Sequence, residues 1–303
     1  MDGYFSLVLH THMPYVRKNG VWPVGEDWLY QVMSDTYLPL LGMLAQLEGE
    51  GVSPCFALTV TPVLCEQLAD RYIRERFMEY LKTMMSRTAD DIRDFEELAD
   101  DQRRALALDY YRDFARKQAA YRAIGGDILG ALASFESQGL LETVSSCATH
   151  AFLPPYRDWR VVERQVRLGI ESHRRHLGVD PSGFWIPECA YREGLEKLLE
   201  SEGISYILVD PSCIPHLPST SPYLVADSRV AAIPRSERAH RIAWDEKSGY
   251  PTDGRYADST KYYHSSGLHY WRVTGPDVPI EKKAVYVPLE AKRRALDHSI
   301  HFI

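Results

Sequence analysis

The chain has 303 residues, of which 45% are hydrophobic and 25% charged, and its formal net charge at pH 7 is −7. This composition is ordinary for a globular protein, with enough length for one large domain or two small ones. An acidic chain without a long Lys/Arg run is a poor partner for nucleic acid, which demands clustered cations. We also find no apolar run near the roughly 18 residues of a membrane helix, so no membrane partner is expected.

Cysteine usage indicates the compartment. The five cysteines are odd in number, scattered and without CxxC spacing, which argues against both a disulfide framework and a zinc knuckle. A reducing cytoplasm is the simplest expectation. The residues concerned are Cys55, Cys65, Cys147, Cys189 and Cys213.

Short apolar runs alternate with helical patterns along the chain. Five runs are predicted as strands, at residues 4–10, 54–62, 141–148, 183–186 and 204–210, with further short candidates at 230–233 and 269–275. Residues from about 63 to 138 are almost wholly helical in pattern and strongly charged, which predicts a helical insertion with solvated faces. The alternation predicts an α/β domain with a parallel, barrel-like sheet.

Histidines follow two of these strands. His10 and His12 are two residues apart, so on a strand both rings point the same way, and His150 follows the third strand. They could bind a metal as neutral imidazoles, form a hydrogen-bonding wall for a polar ligand, or simply be packed or exposed. His173 and His176, beside Arg174 and Arg175, are interpreted as a basic, exposed helix end.

Two carboxylates also follow strands. Glu188 lies where a strand passes through a loop into a helix, which is the catalytic edge in α/β barrels. Its alternatives are capping the next helix or pairing with Arg192. Asp210 follows the next strand, and its alternatives are a cap or a turn residue ahead of Pro211.

Aromatic residues suggest the ligand. Trp22 and Trp28 are predicted in a loop, where tryptophans often stack on flat ligands or sugar faces, the alternative being that they fold back over the core. Trp271 is predicted on a strand approaching the same edge. A metal hydrolase would use the histidines as ligands, a glycosidase would use two carboxylates, and a non-catalytic glucan-binding protein would need only the aromatics.

Three motifs occur in order: HTHMPY at residues 10–15, ATHAFLP at 148–154 and GFWIPECAY at 183–191. Together they resemble successive signature regions of glycoside hydrolase family 57. Two further stretches, GYP at 249–251 and YWRVTG at 270–275, extend the likeness over essentially the whole chain, towards the family's 1,4-α-glucan branching enzymes.

The resemblance implies a (β/α)7-type barrel and a retaining double displacement on an amylose- or glycogen-like glucan, without metal or cofactor. It implies Glu188 as the nucleophile. It implies that His10, His12, His150, Trp22, Trp28 and Trp271 bind substrate, and we expect Asp210 and Gly275 to line the same site.

One part of the family pattern is missing. No aspartate here matches the family's general acid, and Asp210 comes too early in the chain to be that residue. We therefore expect residues 1–303 to form a catalytic barrel incomplete at its C-terminal end, without the family's C-terminal helical domain, and inactive unless the missing region is supplied. The sequence does not separate branching from 4-α-glucanotransferase or α-amylase activity within the family.

Overall fold

The computed structural model describes residues 5–21, 25–54, 56–218, 220–275 and 278–302. The chain forms two compact units. Unit 1 comprises Met1–Phe77 and Ala120–Ser236, and unit 2 comprises Met78–Ala119 and Glu237–Ile303.

Unit 1 is built on a mostly parallel sheet of seven strands. The strand order is β1-β2-β3-β4-β5-β7-β6, and only β6 runs antiparallel to its neighbour. This confirms the predicted α/β class. The two-residue strand β6 was missed, because so short a segment has no readable periodicity. The strands are β1 (Val8–Thr11), β2 (Phe56–Val60), β3 (Leu141–Ser146), β4 (Gly183–Trp185), β5 (Tyr206–Val209), β6 (Tyr223–Leu224) and β7 (Ala231–Pro234).

Helices fill the connections between the strands. A π-helical turn, Met33–Tyr37, joins α1 to α2, and four helices, α3 to α6, lie between β2 and β3. Trp28 lies on α1, so its predicted loop position is wrong. In chain order the helices are α1 (Glu26–Val32), α2 (Leu38–Gly49), α3 (Pro62–Ala69), α4 (Arg71–Glu97), α5 (Asp101–Ala123), α6 (Ile128–Ser137), α7 (Trp159–Leu177) and α8 (Leu195–Ser201).

Helix α7 packs closely on the end of β3. It begins after Asp158, whose carboxylate accepts a hydrogen bond from the Arg160 amide, and it ends at Gly178 in the left-handed conformation (φ 76°). Within α7, Gly169 touches the strand: a Cβ atom there would lie 2.0 Å from the carbonyl oxygen of Ser146. The close approach fixes the end of β3, from which the chain continues to His150.

His173 corrects the prediction of an exposed helix end. It is fully buried, with Nε2 3.1 Å from Thr143 Oγ1, and the Thr143 hydroxyl also lies 2.5 Å from a Glu136 carboxylate oxygen. Burial lowers the pKa of His173 to about 4. The reason is helical spacing, because residue 173 continues the buried stripe formed by Val166 and Ile170. The arginines at 174 and 175 obscured that stripe.

Unit 2 has an aromatic core and contains α9 (Glu237–Trp244) and α10 (Pro288–Phe302). Residues 269–275 do not form the predicted strand, because Trp271 and Arg272 make only isolated bridges, to Val285 and Ala257. Tyr270 and Trp271 are consecutive and both buried, which breaks the alternation of a half-buried strand. The core residues are Phe95, Leu106, Ala107, Tyr270 and Trp271.

Across the described parts of both units, no helix is long and apolar enough to cross a membrane.

Candidate active site

The carboxyl ends of neighbouring strands in unit 1 carry most of the predicted site residues. Because β1 to β5 and β7 are parallel, the residues at and beyond their carboxyl ends share one edge of the sheet. The residues at this edge are His10 and His12 from β1, His150 after β3, Trp185 and Glu188 from β4, Asp210 after β5 and Arg235 after β7.

The three predicted histidines form one cluster with a tryptophan. His10 Nε2 lies 3.2 Å from His150 Nε2, and the rings of His12 and His150 stack with centroids 3.9 Å apart. The other face of the cluster is closed by Trp185, whose ring stacks on His10 at 4.1 Å and 13°. The sequence analysis quoted Trp185 in a motif but gave it no role.

The environment keeps these imidazoles neutral. Although the His10 residue is partly exposed, its ring contacts those of Trp185 and His150, and burial together with His150 and His12 lowers its pKa to about 3. Burial and His150 lower the pKa of His12 to about 4 against the opposing charge of Glu188, and burial also lowers the pKa of His150. At neutral pH one of His10 and His150 therefore donates Nε2–H and the other accepts. Neutral rings suit hydroxyl groups, which both donate and accept hydrogen bonds.

Metal binding, the other possibility for the histidines, lacks a suitable donor set. Within the described ranges, no three His, Cys, Asp or Glu side chains are arranged to hold a metal ion. His12 instead places Nδ1 3.1 Å from Thr61 Oγ1. The loop after His12 is fixed by Gln67, which binds the Val16 amide (2.8 Å) and the Pro14 carbonyl (3.0 Å).

Glu188 lies in a strained turn. It has φ 56° and ψ 19°, and Cys189 follows with φ 54°, so two consecutive non-glycine residues occupy the left-handed region. Such backbone costs about 1–2 kcal/mol per residue and collects at functional sites. The Glu188 side chain is exposed, and the described residues offer its carboxylate no hydrogen bond or ion pair.

Neither structural alternative for Glu188 is observed. Helix α8 begins after Gly194 without a side-chain cap. Arg192 donates to the Tyr156 carbonyl and lies over the Trp159 ring. The Glu188 carboxylate is thus left open to a ligand.

Asp210 takes the turn-capping role that the sequence left open. Its Oδ1 accepts from the Ser212 amide (2.9 Å), and its Oδ2 accepts from Arg235 Nε (2.9 Å) and Nη2 (2.5 Å). The Ser212 bonds and then Arg235 hold the pKa of this carboxyl below its usual range. Arg235 was missed, because β7 was predicted only as a short run and its strand-end position carried no weight.

The remaining tryptophans and Gly275 add little to this cluster. Trp28 is 42% exposed on α1, so its ring has free surface for a ligand. Trp22 lies outside the described residues. Trp271 belongs to unit 2, where only 6% of it is exposed, which leaves no free ring face for a sugar, and Gly275 is an exposed residue of the same unit. That Trp271 and Gly275 bind substrate therefore stays a prediction.

This parallel α/β sheet gathers neutral imidazoles, a tryptophan and an unpaired carboxylate at its carboxyl edge, where α/β barrels carry their active sites. Residues 6–268 match the profile of Glycosyl hydrolase family 57, and the chain belongs to this family. It is 34% identical over 337 aligned residues to a 1,4-alpha-glucan branching enzyme of Thermococcus kodakarensis, covering 100% of this chain and 49% of the relative.

Two further matches agree. A probable 1,4-alpha-glucan branching enzyme of Mycobacterium tuberculosis is 34% identical over 317 residues, with 100% of this chain and 59% of the relative covered. A crystal structure of a family 57 branching enzyme from Thermococcus kodakaraensis, in complex with glucose and additives, superposes with a TM-score of 0.93 at 33% identity. That match covers 100% of this chain and 60% of the crystallised one. The chain thus spans about half the length of its curated relatives.

Proposed function

We propose that this chain provides the nucleophile-bearing part of an α-glucan branching site. The observation that carries the proposal is Glu188, an unpaired carboxylate in a strained turn whose charge acts on His12, one of three neutral imidazoles at the same edge of the sheet. The names of the relatives, both branching enzymes, support the substrate and the reaction.

The proposed reaction has two displacements. The Glu188 carboxylate attacks the anomeric carbon of an α-1,4-linked glucose, a carbon–oxygen bond forms, and the bond to the leaving glucan oxygen breaks as that oxygen gains a proton. The 6-hydroxyl of a second glucan then attacks the same carbon, loses its proton and releases Glu188 as a carboxylate. Two inversions retain the α configuration, now in an α-1,6 branch.

The histidine cluster is assigned to binding. His10, His12 and His150 are neutral, and each has one ring nitrogen engaged in the cluster or by Thr61, so the other nitrogen is left to donate to or accept from a sugar hydroxyl. Trp185 and Trp28 supply aromatic surface, which packs well against the apolar faces of sugar rings.

Asp210 is a poor proton donor for the leaving oxygen. A general acid needs a raised pKa, whereas the Ser212 bonds and Arg235 lower that of Asp210. We therefore assign the proton transfer to none of the described residues, and the first displacement is best tested with a leaving group that needs no proton.

An α-glucosyl fluoride whose ring carries a second fluorine meets this requirement. The Glu188–carbon bond forms as the carbon–fluorine bond breaks, fluoride leaves with the electron pair, and the ring fluorine slows the second displacement. Intact-mass spectrometry should show one added fluoroglucosyl group on the 303-residue chain. Glu188→Gln should abolish the adduct, and the exposed Glu193→Gln should leave it unchanged. Absence of an adduct on the wild-type chain would refute the proposal.

Product linkage separates branching from the two related activities. A linear α-1,4-glucan is incubated with the chain together with the region that supplies the general acid. Branching predicts new α-1,6 signals in the proton NMR spectrum. Redistributed chain lengths without such signals would indicate a 4-α-glucanotransferase, and an accumulation of reducing ends would indicate an amylase.

We also propose a reducing compartment such as the cytoplasm. Among the residues that the structure describes, four cysteines are free thiols, and three of them, Cys65, Cys147 and Cys189, are buried. Disulfides are typical of oxidising compartments, and none of the described cysteines forms one.

A further inference from the structure

We propose that Arg235 is a positioning residue for the nucleophile, acting through Asp210 on the turn that carries Glu188. This inference rests on the proposed role of Glu188. It goes beyond that role by adding a residue which neither the sequence motifs nor the comparisons assign.

The contacts run across three adjacent strand ends. Arg235 follows β7, where its amide continues the sheet by donating to the Val209 carbonyl (3.1 Å). Its guanidinium reaches the next strand end through two bonds to Asp210 Oδ2. The other oxygen of Asp210 caps the helical turn Pro211–Cys213 by accepting from the Ser212 amide.

That turn is joined to the nucleophile segment. Cys213 Sγ lies 3.7 Å from the carbonyl oxygen of Cys189, the residue directly after Glu188. The charge of the Arg235 guanidinium also acts on Cys189. Burial raises the pKa of the Cys189 thiol to about 11, and the charge of Arg235 opposes that rise. Arg235, Asp210 and the Glu188–Cys189 turn therefore form one contiguous group.

The strained turn needs such support. Glu188 and Cys189 are consecutive non-glycine residues with left-handed backbone, at φ 56° and 54°, a conformation that L-residues rarely adopt. The Cys189 amide donates to the Ile186 carbonyl (2.8 Å), and the carbonyl of Cys189 is contacted by the thiol of Cys213. Releasing Asp210 would free the Pro211–Cys213 turn and let the Glu188 turn relax away from its working geometry.

A direct contact between Arg235 and sugar is disfavoured by the positions of its donor atoms, although 38% of the side chain is exposed. Arg235 Nε and Nη2 are both engaged by Asp210, and Nη1 is buried without a partner among the described residues. A donor that water does not reach is also out of reach of a sugar hydroxyl. The geometry therefore favours positioning over binding.

The test compares rates of Glu188 labelling by the doubly fluorinated glucosyl reagent, using the full 303-residue chain. Arg235→Gln removes both the paired N–H donors of the guanidinium and its charge, and Arg235→Lys keeps the charge but loses the paired donors. Arg229→Gln is the matched control, because Arg229 also pairs with a carboxylate, Glu200, but at an exposed site. Thermal unfolding of each variant checks folding, and Arg235→Lys carries the test if Arg235→Gln does not fold.

We expect both Arg235 variants to lower the maximal labelling rate about tenfold, because a small displacement of a reacting group is costly. The half-saturating reagent concentration and the pH profile should stay unchanged, and Arg229→Gln should match the wild type. In an Asp210→Asn background, Arg235→Gln should have little further effect, because both substitutions break the same contact.

Several results would overturn the inference. Unchanged labelling in both Arg235 variants would show that the contact is only structural. A raised half-saturating concentration at an unchanged maximal rate would show direct substrate contact, and full rescue by lysine with a shifted pH profile in Arg235→Gln would show a charge effect. Failure of the wild-type chain to label at all would instead refute the role of Glu188.

Discussion

Gly169 allows a direct test of how α7 fixes the strand end that leads to His150. In Gly169→Ala, the new Cβ atom would lie 2.0 Å from the Ser146 carbonyl oxygen, against at least 3.4 Å for an ordinary contact, so helix and strand must separate by about 1.4 Å. Overpacking of this kind lowers the free energy of unfolding by about 1–3 kcal/mol. Replacing glycine by alanine in a helix raises it by up to about 1 kcal/mol.

The matched control is Gly42→Ala in α2. Gly42 is also helical, but its added Cβ would meet nothing within 4 Å, so only the helical gain of about 0.5–1 kcal/mol applies. Both variants share that gain, and the difference between them isolates the clash at Ser146. Urea unfolding followed by circular dichroism should place Gly169→Ala about 1–3 kcal/mol below Gly42→Ala. Equal free energies of unfolding would refute the proposed contact.

Two further predictions concern buried titratable groups. Because the pKa of His173 is lowered from 6.5 to about 4, the unfolded state takes up its proton first, so stability is complete above 6.5 and is lost as the pH falls towards 4. Between neutral pH and about pH 5, the unfolding free energy of the wild type should therefore fall by about 2 kcal/mol more than that of His173→Gln. The exposed His240→Gln should show the same fall as the wild type. In unit 2, Lys283→Met should lower stability by about 3–5 kcal/mol in urea unfolding, because it leaves Asp258 buried without its cation. The neighbouring, exposed Lys282→Met should have little effect, and equal losses in the two lysine variants would contradict the prediction.

The strands and the strand-end histidines could be predicted from local patterns. The fully buried strand β2 is an almost continuous apolar run, and the spacing of His10 and His12 places both rings on one side. The short connection after β4 likewise placed Glu188 at the edge of the sheet. The resemblance to family 57 then gave these residues roles that spacing alone left open.

What could not be predicted depends on contacts between distant residues. The Tyr270 hydroxyl donates to buried Asp91, 179 positions earlier in the chain, at 2.7 Å. Such packing draws Trp271 into the core of unit 2, and no local period reports it. Arg235 was missed for a related reason, because its partner Asp210 is fixed only once β5 and β7 pair.

The most direct test of the central claim is to locate the label within the chain. After reaction with the doubly fluorinated glucosyl reagent, the chain is digested with a protease and the modified peptide is sequenced by tandem mass spectrometry. The proposed mechanism predicts a single fluoroglucosyl ester on Glu188. A label on Asp210 or on any other carboxylate, with Glu188 unmodified, would contradict it.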